Sequence, residues 1–244
     1  MAELFDMKLR ALRHARARSV GPELFLHERA FADCLERIVL LERRFARALL
    51  IGNLDPGRQA RLEPVADTVE PFAGTEDAWD APPQAYDLVV AVGTLDTVNG
   101  LPLALRLIRH ALRADGLFIG ALSGGDTLPQ LRSAMRAADA VSGIASPHVH
   151  PRIEPAALAP LLEQAGFVRP VVDIDRVQVA YASLARLIRD LRAMAATNIL
   201  AVRPRFTGRA ARAEAERAFA KAGNGERTVE TFEILHFAAW APQA

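Results

Sequence analysis

Two histidines stand close together in Ser146-Pro147-His148-Val149-His150. Two imidazoles one residue apart invite a metal reading, but a metal centre generally needs three or four ligands. His14, His27, His110 and His236 have no partner at ligand spacing, so no metal site is expected. A second candidate, Gly124-Gly125-Asp126-Thr127, follows an apolar run. It reads either as a loop turning Asp126 toward a substrate or as a glycine turn closed by a Thr127 helix cap. The single cysteine, Cys34, lies mid-helix among apolar neighbours and reads as a small buried hydrophobe. No Ser/His/Asp order, phosphate loop or nucleic-acid motif stands out.

The elements that must position these groups are clearest in residues 86–127. Leu88-Val89-Val90-Ala91-Val92 is a β-branched apolar run that suits a parallel strand covered on both faces. A helix follows, with Leu101, Ala104, Leu105, Ile108, Ala111 and Leu112 on one side and Arg106, Arg109 and Arg113 on the other. Asp115-Gly116 then turns the chain into Leu117-Phe118-Ile119-Gly120-Ala121-Leu122. Strand, crossover helix and strand make one unit of a doubly wound sheet.

Upstream, helices are predicted over 3–19 and 23–43, separated by Val20-Gly21-Pro22. A first strand is predicted over 47–52 and a short helix over 57–62. Residues 63–72 make a poor strand because Pro64 and Pro71 interrupt them. Residues 76–84 read as a loop anchored by Trp79. Downstream, the pattern predicts a helix over 128–141 capped by Thr127, a loop, and a helix from Pro155 that stops at Gly166. A strand within 168–179, helices over 181–197 and 209–222, and a last antiparallel strand over 231–240 complete the chain. The expected division is a helical N-terminal piece at 1–45 and a sheet domain at 46–244, with a helical insertion at about 181–222.

At 244 residues and 51% hydrophobic, the chain can bury a large core. Thirty Lys and Arg against 29 Asp and Glu leave a net charge of +1. That balance argues against nucleic acid as a partner. No apolar run approaches the roughly 20 residues of a membrane span. One cysteine excludes an intramolecular disulfide and fits a reducing compartment. The Arg-rich start carries Glu3 and Asp6, which are wrong for an acid-poor transit peptide, so it reads as mature protein and the expected location is cytoplasmic.

Residues 86–127 resemble the fourth and fifth strands of a class I S-adenosylmethionine (SAM) methyltransferase. The likeness is narrower to the branch that holds the malonyl-carrier-protein O-methyltransferase of biotin synthesis and the complex I assembly factor known as a protein-arginine hydroxylase. Val98-Asn99-Gly100-Leu101-Pro102, Leu105 to Arg109, Leu112 to Ile119 and Gly124 to Thr127 carry it. Ser146-Pro147-His148, Ala165-Gly166-Phe167, Val172 to Asp175 and Val177-Gln178-Val179 match the assembly-factor side better, as do Leu4-Phe5-Asp6 and the region from Met194 to Asn198. The resemblance implies an α/β, Rossmann-like fold with a seven-stranded, mostly parallel sheet, an N-terminal helical cap and a late helical insertion. It implies SAM as cofactor and a small-molecule or protein methyl acceptor, or a complex I subunit as partner. Gly52, Asn53, Asp67, Glu76, Gly93 and Thr94 then become the cofactor residues, and Asp96, Asp126 and His148 the catalytic candidates. Gln178 and Tyr181 become pocket candidates on the same basis.

The chain departs from that pattern in three places. Where the family has an acid followed by Gly-x-Gly-x-Gly, this loop reads Ile51-Gly52-Asn53-Leu54-Asp55-Pro56-Gly57, with Leu54 at a glycine position. Asp67 and Glu70 follow Gly52 at less than the usual spacing of about 20 residues for a ribose-binding acid. A His-Trp pair is replaced by Asp96-Thr97. Asp96 could stand in for the base, or it could cap a helix or face solvent. The segment from Gly52 to Asp87 is also short, so the helix between the second and third strands should be reduced or missing. Two functions are therefore expected. One is a SAM-dependent methyltransferase, or methyltransferase-like protein, with a degenerate cofactor loop. The other is a non-catalytic or hydroxylase-type assembly factor for respiratory complex I.

Overall fold

The computed structural model describes residues 3–21, 24–52, 57–202 and 208–243. Helices α1 (Met7–Val20) and α2 (Phe25–Leu40) precede strand β1 (Phe45–Ile51), helix α3 (Gly57–Leu62) and strand β2 (Ala66–Pro71). Strand β3 (Tyr86–Val92), a 3-10 turn (Leu95–Thr97), helix α4 (Leu101–Ala111) and strand β4 (Leu112–Ser123) follow. The rest is α5 (Pro129–Ser142), α6 (Pro155–Gln164), β5 (Val168–Tyr181), α7 (Leu184–Ala193), α8 (Arg209–Lys221) and β6 (Thr228–Trp240).

The strands form one sheet in the order β2-β1-β3-β4-β6-β5. β1 runs parallel to β2 and β3, β3 runs parallel to β4, and β6 is antiparallel to β4. Against the expected seven strands, the sheet has six among the described residues. The shortfall lies in residues 72–85, which contain neither helix nor strand. Gly74 and Pro82-Pro83 interrupt that segment, and it holds no apolar run that could be buried. The prolines of 63–72 do not prevent β2. Pro64 precedes the strand and Pro71 ends it, and β2 is an edge strand where a missing donor is tolerated.

The chain divides into two compact units. The first is Met1–Leu24, Asp126–Arg152 and Arg176–Glu233; the second is Phe25–Gly125, Ile153–Asp175 and Ile234–Ala244. In the second unit, Leu49, Ile51, Val89 and Ala91 pack in one core with Ala104, Leu105 and Ile108 of α4 and Leu158 and Leu162 of α6. Phe118 stacks on Phe167 at 5.1 Å and meets Phe237 edge-on at 4.9 Å. Trp79 packs against Phe72 and this core, as an anchor should. The Asp115-Gly116 turn is a kink inside β4. Asp115 takes φ +54°, and Arg43 donates to its carbonyl at 2.9 Å and its carboxylate at 3.1 Å.

The start of α5 in the first unit differs from its prediction. Leu128 is the N-cap residue, in the left-handed region at φ +64°. Thr127 donates its hydroxyl to the Glu233 carbonyl and accepts from the Glu233 N–H, both at 3.0 Å. The orphan N–H groups of Gln130 and Leu131 are taken by the Glu230 carboxylate, at 3.2 and 2.8 Å. Burial pushes the Glu230 carboxyl above its ordinary range, although these N–H donors pull the other way. The true cap lies a hundred residues away in sequence, which is why local spacing pointed to Thr127.

Candidate functional site

The chain leaves β1 for β2 on one side and returns to β3 on the other, so the order of the sheet reverses between β1 and β3. Open α/β sheets bind ligands outside the carboxyl ends of their strands at such a point. Gly52 follows β1 and Gly93 follows β3, with φ of +83° and +75°. Only glycine takes that backbone without strain. A Cβ on Gly52 would stand 2.3 Å from the Val92 carbonyl oxygen and 2.8 Å from Thr94 Cγ2, so Gly52 and Thr94 are neighbours. Glu76 is buried, and its neighbour Asp77 accepts from the Gly100 N–H at 2.7 Å, just before α4. The half-buried Asp96 sits in the turn between β3 and α4.

The surface over Gly93 is taken by the protein itself. A Cβ there would fall 2.2 Å from Cδ2 and 2.5 Å from Nε2 of His27, so the imidazole of α2 lies on the glycine. Arg58, in the first turn of α3, is fully buried. Its Nε reaches Glu28 Oε1 of α2 at 3.0 Å and its Nη1 lies 3.5 Å from the Gly52 carbonyl. Arg61 binds the other Glu28 oxygen at 2.7 Å, and both guanidinium groups lie over the Phe31 ring. A buried guanidinium is tolerated only when paired this closely. A bound nucleoside would need bare backbone over the glycines. His27 lies in that space over Gly93.

Further contacts tie α2 to the sheet of the same unit. Asp33 lies 2.9 Å from Nδ1 of His236 on β6, and Arg37 and Arg29 pair with Asp173 and Asp175 of β5. Burial lowers the His236 pKa and outweighs the nearby Asp33 carboxylate, which acts to raise it. Cys34 is buried on the same helix, and burial pushes its thiol up to about 12.

The candidates named from sequence therefore separate. Gly52, Gly93, Thr94, Asp96 and the Glu76-Asp77 turn gather at the carboxyl ends of β1 and β3. Asn53 lies outside the described residues, as does Leu54. Asp67 stands near the start of β2, where Ala66 pairs with Phe45, and its carboxylate binds Arg44 at 2.6 Å. That is the amino end of the strands. Glu70 is nearer the carboxyl end but is held by Arg47 and, at 2.9 Å, by the Tyr86 hydroxyl. The Arg47 bond above all, and that from Tyr86, hold the Glu70 carboxyl below its ordinary range. Asp126 belongs to the first unit, where its exposed side chain pairs with Arg176 at 3.4 Å. Tyr181 is buried at the end of β5, and Gln178 lies on the same strand.

His148 is also in the first unit. Its Nε2 lies 2.8 Å from Asp139 Oδ1, and Asp139 Oδ2 accepts the Ser146 N–H at 3.0 Å. Burial acts to raise the Asp139 pKa, but the bonds from His148 and Ser146 outweigh it and leave it lowered. His150 is buried, accepts the Ile199 N–H at its Nε2 at 2.9 Å and meets the Phe5 ring edge-on. The two histidines thus serve separate polar contacts. Among the described residues, no three His, Cys, Asp or Glu are grouped to hold a metal. Sequence reasoning placed His27 in a helical stripe and missed its role, and it missed Arg58 and Asp139 entirely. Only the helical spacing of Leu24, His27 and Phe31 hinted that His27 faces inward.

Solved structures supply the comparison that decides the fold. The YcgJ protein of Bacillus subtilis superposes with a TM-score of 0.58 over 87% of this chain and 100% of its own, at 11% identity. A putative methyltransferase of Bacillus halodurans gives 0.53 over 86% and 99%, at 9% identity. The fold is that of the class I methyltransferases. In sequence, the chain is similar to the mitochondrial arginine-hydroxylase NDUFAF5 of Danio rerio, 38% identical over 64% of this chain and 50% of that protein. It is also similar to the malonyl-[acyl-carrier protein] O-methyltransferase of Xylella fastidiosa, 35% identical over 65% of this chain and 52% of that protein. The chain spans about half the length of these curated relatives. No protein-family model matches it. No helix among the described residues is long and apolar enough to cross a membrane.

Proposed function

We propose that this methyltransferase-like chain acts without turning over SAM, as an assembly factor whose partner is a protein. A subunit of respiratory complex I is the partner that the similarity to the arginine-hydroxylase suggests, and the cytoplasm is its proposed location. The observation that carries the reading is the His27 imidazole lying on Gly93, at the point where the sheet would receive a cofactor. The loss of the glycine pattern at Leu54 agrees with it. In this reading α2 is part of the core, and Gly93 is retained because His27 needs its bare backbone.

A second reading rests on a different observation. Gly52 and Gly93 keep positive φ at the reversal point of the sheet, as a cofactor edge requires. Methyl transfer works largely by orientation and needs no dedicated base. In that reading His27 moves aside and the chain methylates a small molecule or protein. Calorimetric titration of the full chain with SAM separates the two. The assembly reading expects no heat and no thermal shift at millimolar SAM. Binding at micromolar strength would overturn it. Affinity purification that returns a complex I subunit in the absence of SAM would identify the partner.

A further inference from the structure

The first unit contains a cavity of about 180 Å³ that the proposed function does not use. Its walls are largely apolar, with Leu131 and Met135 of α5 and Ile188 and Leu191 of α7. His148 and Thr197 belong to the same lining. The Thr197 hydroxyl oxygen is buried without a hydrogen-bond partner.

His148 is prepared for one kind of contact. Asp139 is ionised at neutral pH and can only accept, so the Nε2 of His148 carries the proton that bridges them. With Nε2 held on Asp139, Nδ1 is the ring nitrogen left for a further contact. Nδ1 makes no hydrogen bond to a described residue. The site therefore asks for an apolar body bearing one group that can hydrogen-bond. Size narrows it further, because an apolar cavity of about 150 Å³ is known to hold benzene. Arg152 also lines the cavity, and its charge disfavours a cationic ligand.

We infer that this cavity binds a single-ring phenol, whose hydroxyl hydrogen-bonds to His148 Nδ1 while the ring lies among the leucines, Met135 and Ile188. The shared chemistry is the phenol group, and it could come from a free small molecule or from a tyrosine side chain. The inference stands whether or not the chain uses SAM.

The test is calorimetric titration of the full chain with p-cresol, toluene and N-acetyl-tyrosine amide, supported by one-dimensional NMR to confirm folding. The expected result is millimolar or tighter binding of p-cresol, with toluene at least about fivefold weaker for want of the hydroxyl. His148→Phe should bring p-cresol down to the level of toluene. Met135→Trp, which fills the space, should abolish both while the protein stays folded. Tyrosine amide binding as tightly as p-cresol would assign the site to a protein side chain, and much weaker binding to a free phenol. Equal affinity for p-cresol and toluene, or no binding of p-cresol to folded wild-type protein, would overturn the inference.

Discussion

The two units treat their polar residues in opposite ways. At the carboxyl ends of β1 and β3 the glycines expected of a ligand site are present, yet His27, Glu28 and Arg58 of the same unit occupy the place. In the first unit no glycine pattern marks a site, yet His148 and Thr197 share the lining of a cavity. The first case keeps the backbone of a binding edge and fills it. The second builds a place for a ligand from a helix pair and a loop. A glycine motif reports what the backbone permits; only packing decides whether room remains above it.

The largest expected effect tests the filled edge. Gly93→Ala should destabilise the protein by about 3 kcal/mol, from positive-φ strain and from the collision with His27. In a His27→Ala background the collision disappears and the cost should drop to about 1 kcal/mol. Urea unfolding of all four proteins measures the difference. An equal cost in both backgrounds would mean that His27 does not occupy the surface over Gly93, and the contrast between the units would collapse.

Much of the fold was legible in the sequence, and the reasons are local. Leu88 to Val92 read as a strand covered on both faces and form one, and the arginines of α4 marked its outer side. The six-residue helix α3 matches its predicted bounds, and β6 is antiparallel and next to an edge as expected. What was not legible depends on partners distant in sequence. Glu230 caps α5 from another element, Asp139 fixes His148 across a loop, and Arg58 finds Glu28 across 30 residues. The Asp67 assignment shows a different limit. Counting residues from Gly52 gives a distance along the chain, but it cannot say at which end of a strand the acid will stand.

A smaller effect concerns what holds α2 in place. His236 has a folded pKa below its unfolded value of about 6.5, so the unfolded state binds more protons as pH falls through that value. Stability should therefore fall between pH 7 and pH 5, by at most ~1.4 kcal/mol per pH unit for this one proton. His236→Gln should flatten that part of the profile, read as urea midpoints at successive pH values. An unchanged slope would remove His236 as a cause and weaken the view that α2 is anchored through it. In the other unit, Asp139→Asn should cost about 1 kcal/mol of stability, because two hydrogen bonds lose a charged acceptor. It should also weaken p-cresol binding severalfold by freeing the His148 tautomer. Loss of stability with unchanged p-cresol affinity would leave Asp139 a purely structural role.

The smallest effect is the most pointed for cofactor binding. Arg44 and Asp67 are each more than half exposed, at 57% and 59%, so their ion pair is screened by solvent. Asp67→Ala should change stability by less than ~0.5 kcal/mol. If the chain does bind SAM, the substitution should leave that affinity unchanged as well, because the parallel register puts Asp67 beside the start of β1 and Gly52 follows its end. Titrating wild type and variant with SAM side by side checks this. A severalfold loss of SAM affinity on Asp67→Ala would mean that the acid reaches the cofactor after all, and that β2 sits in a different register from the one that pairs Phe45 with Ala66.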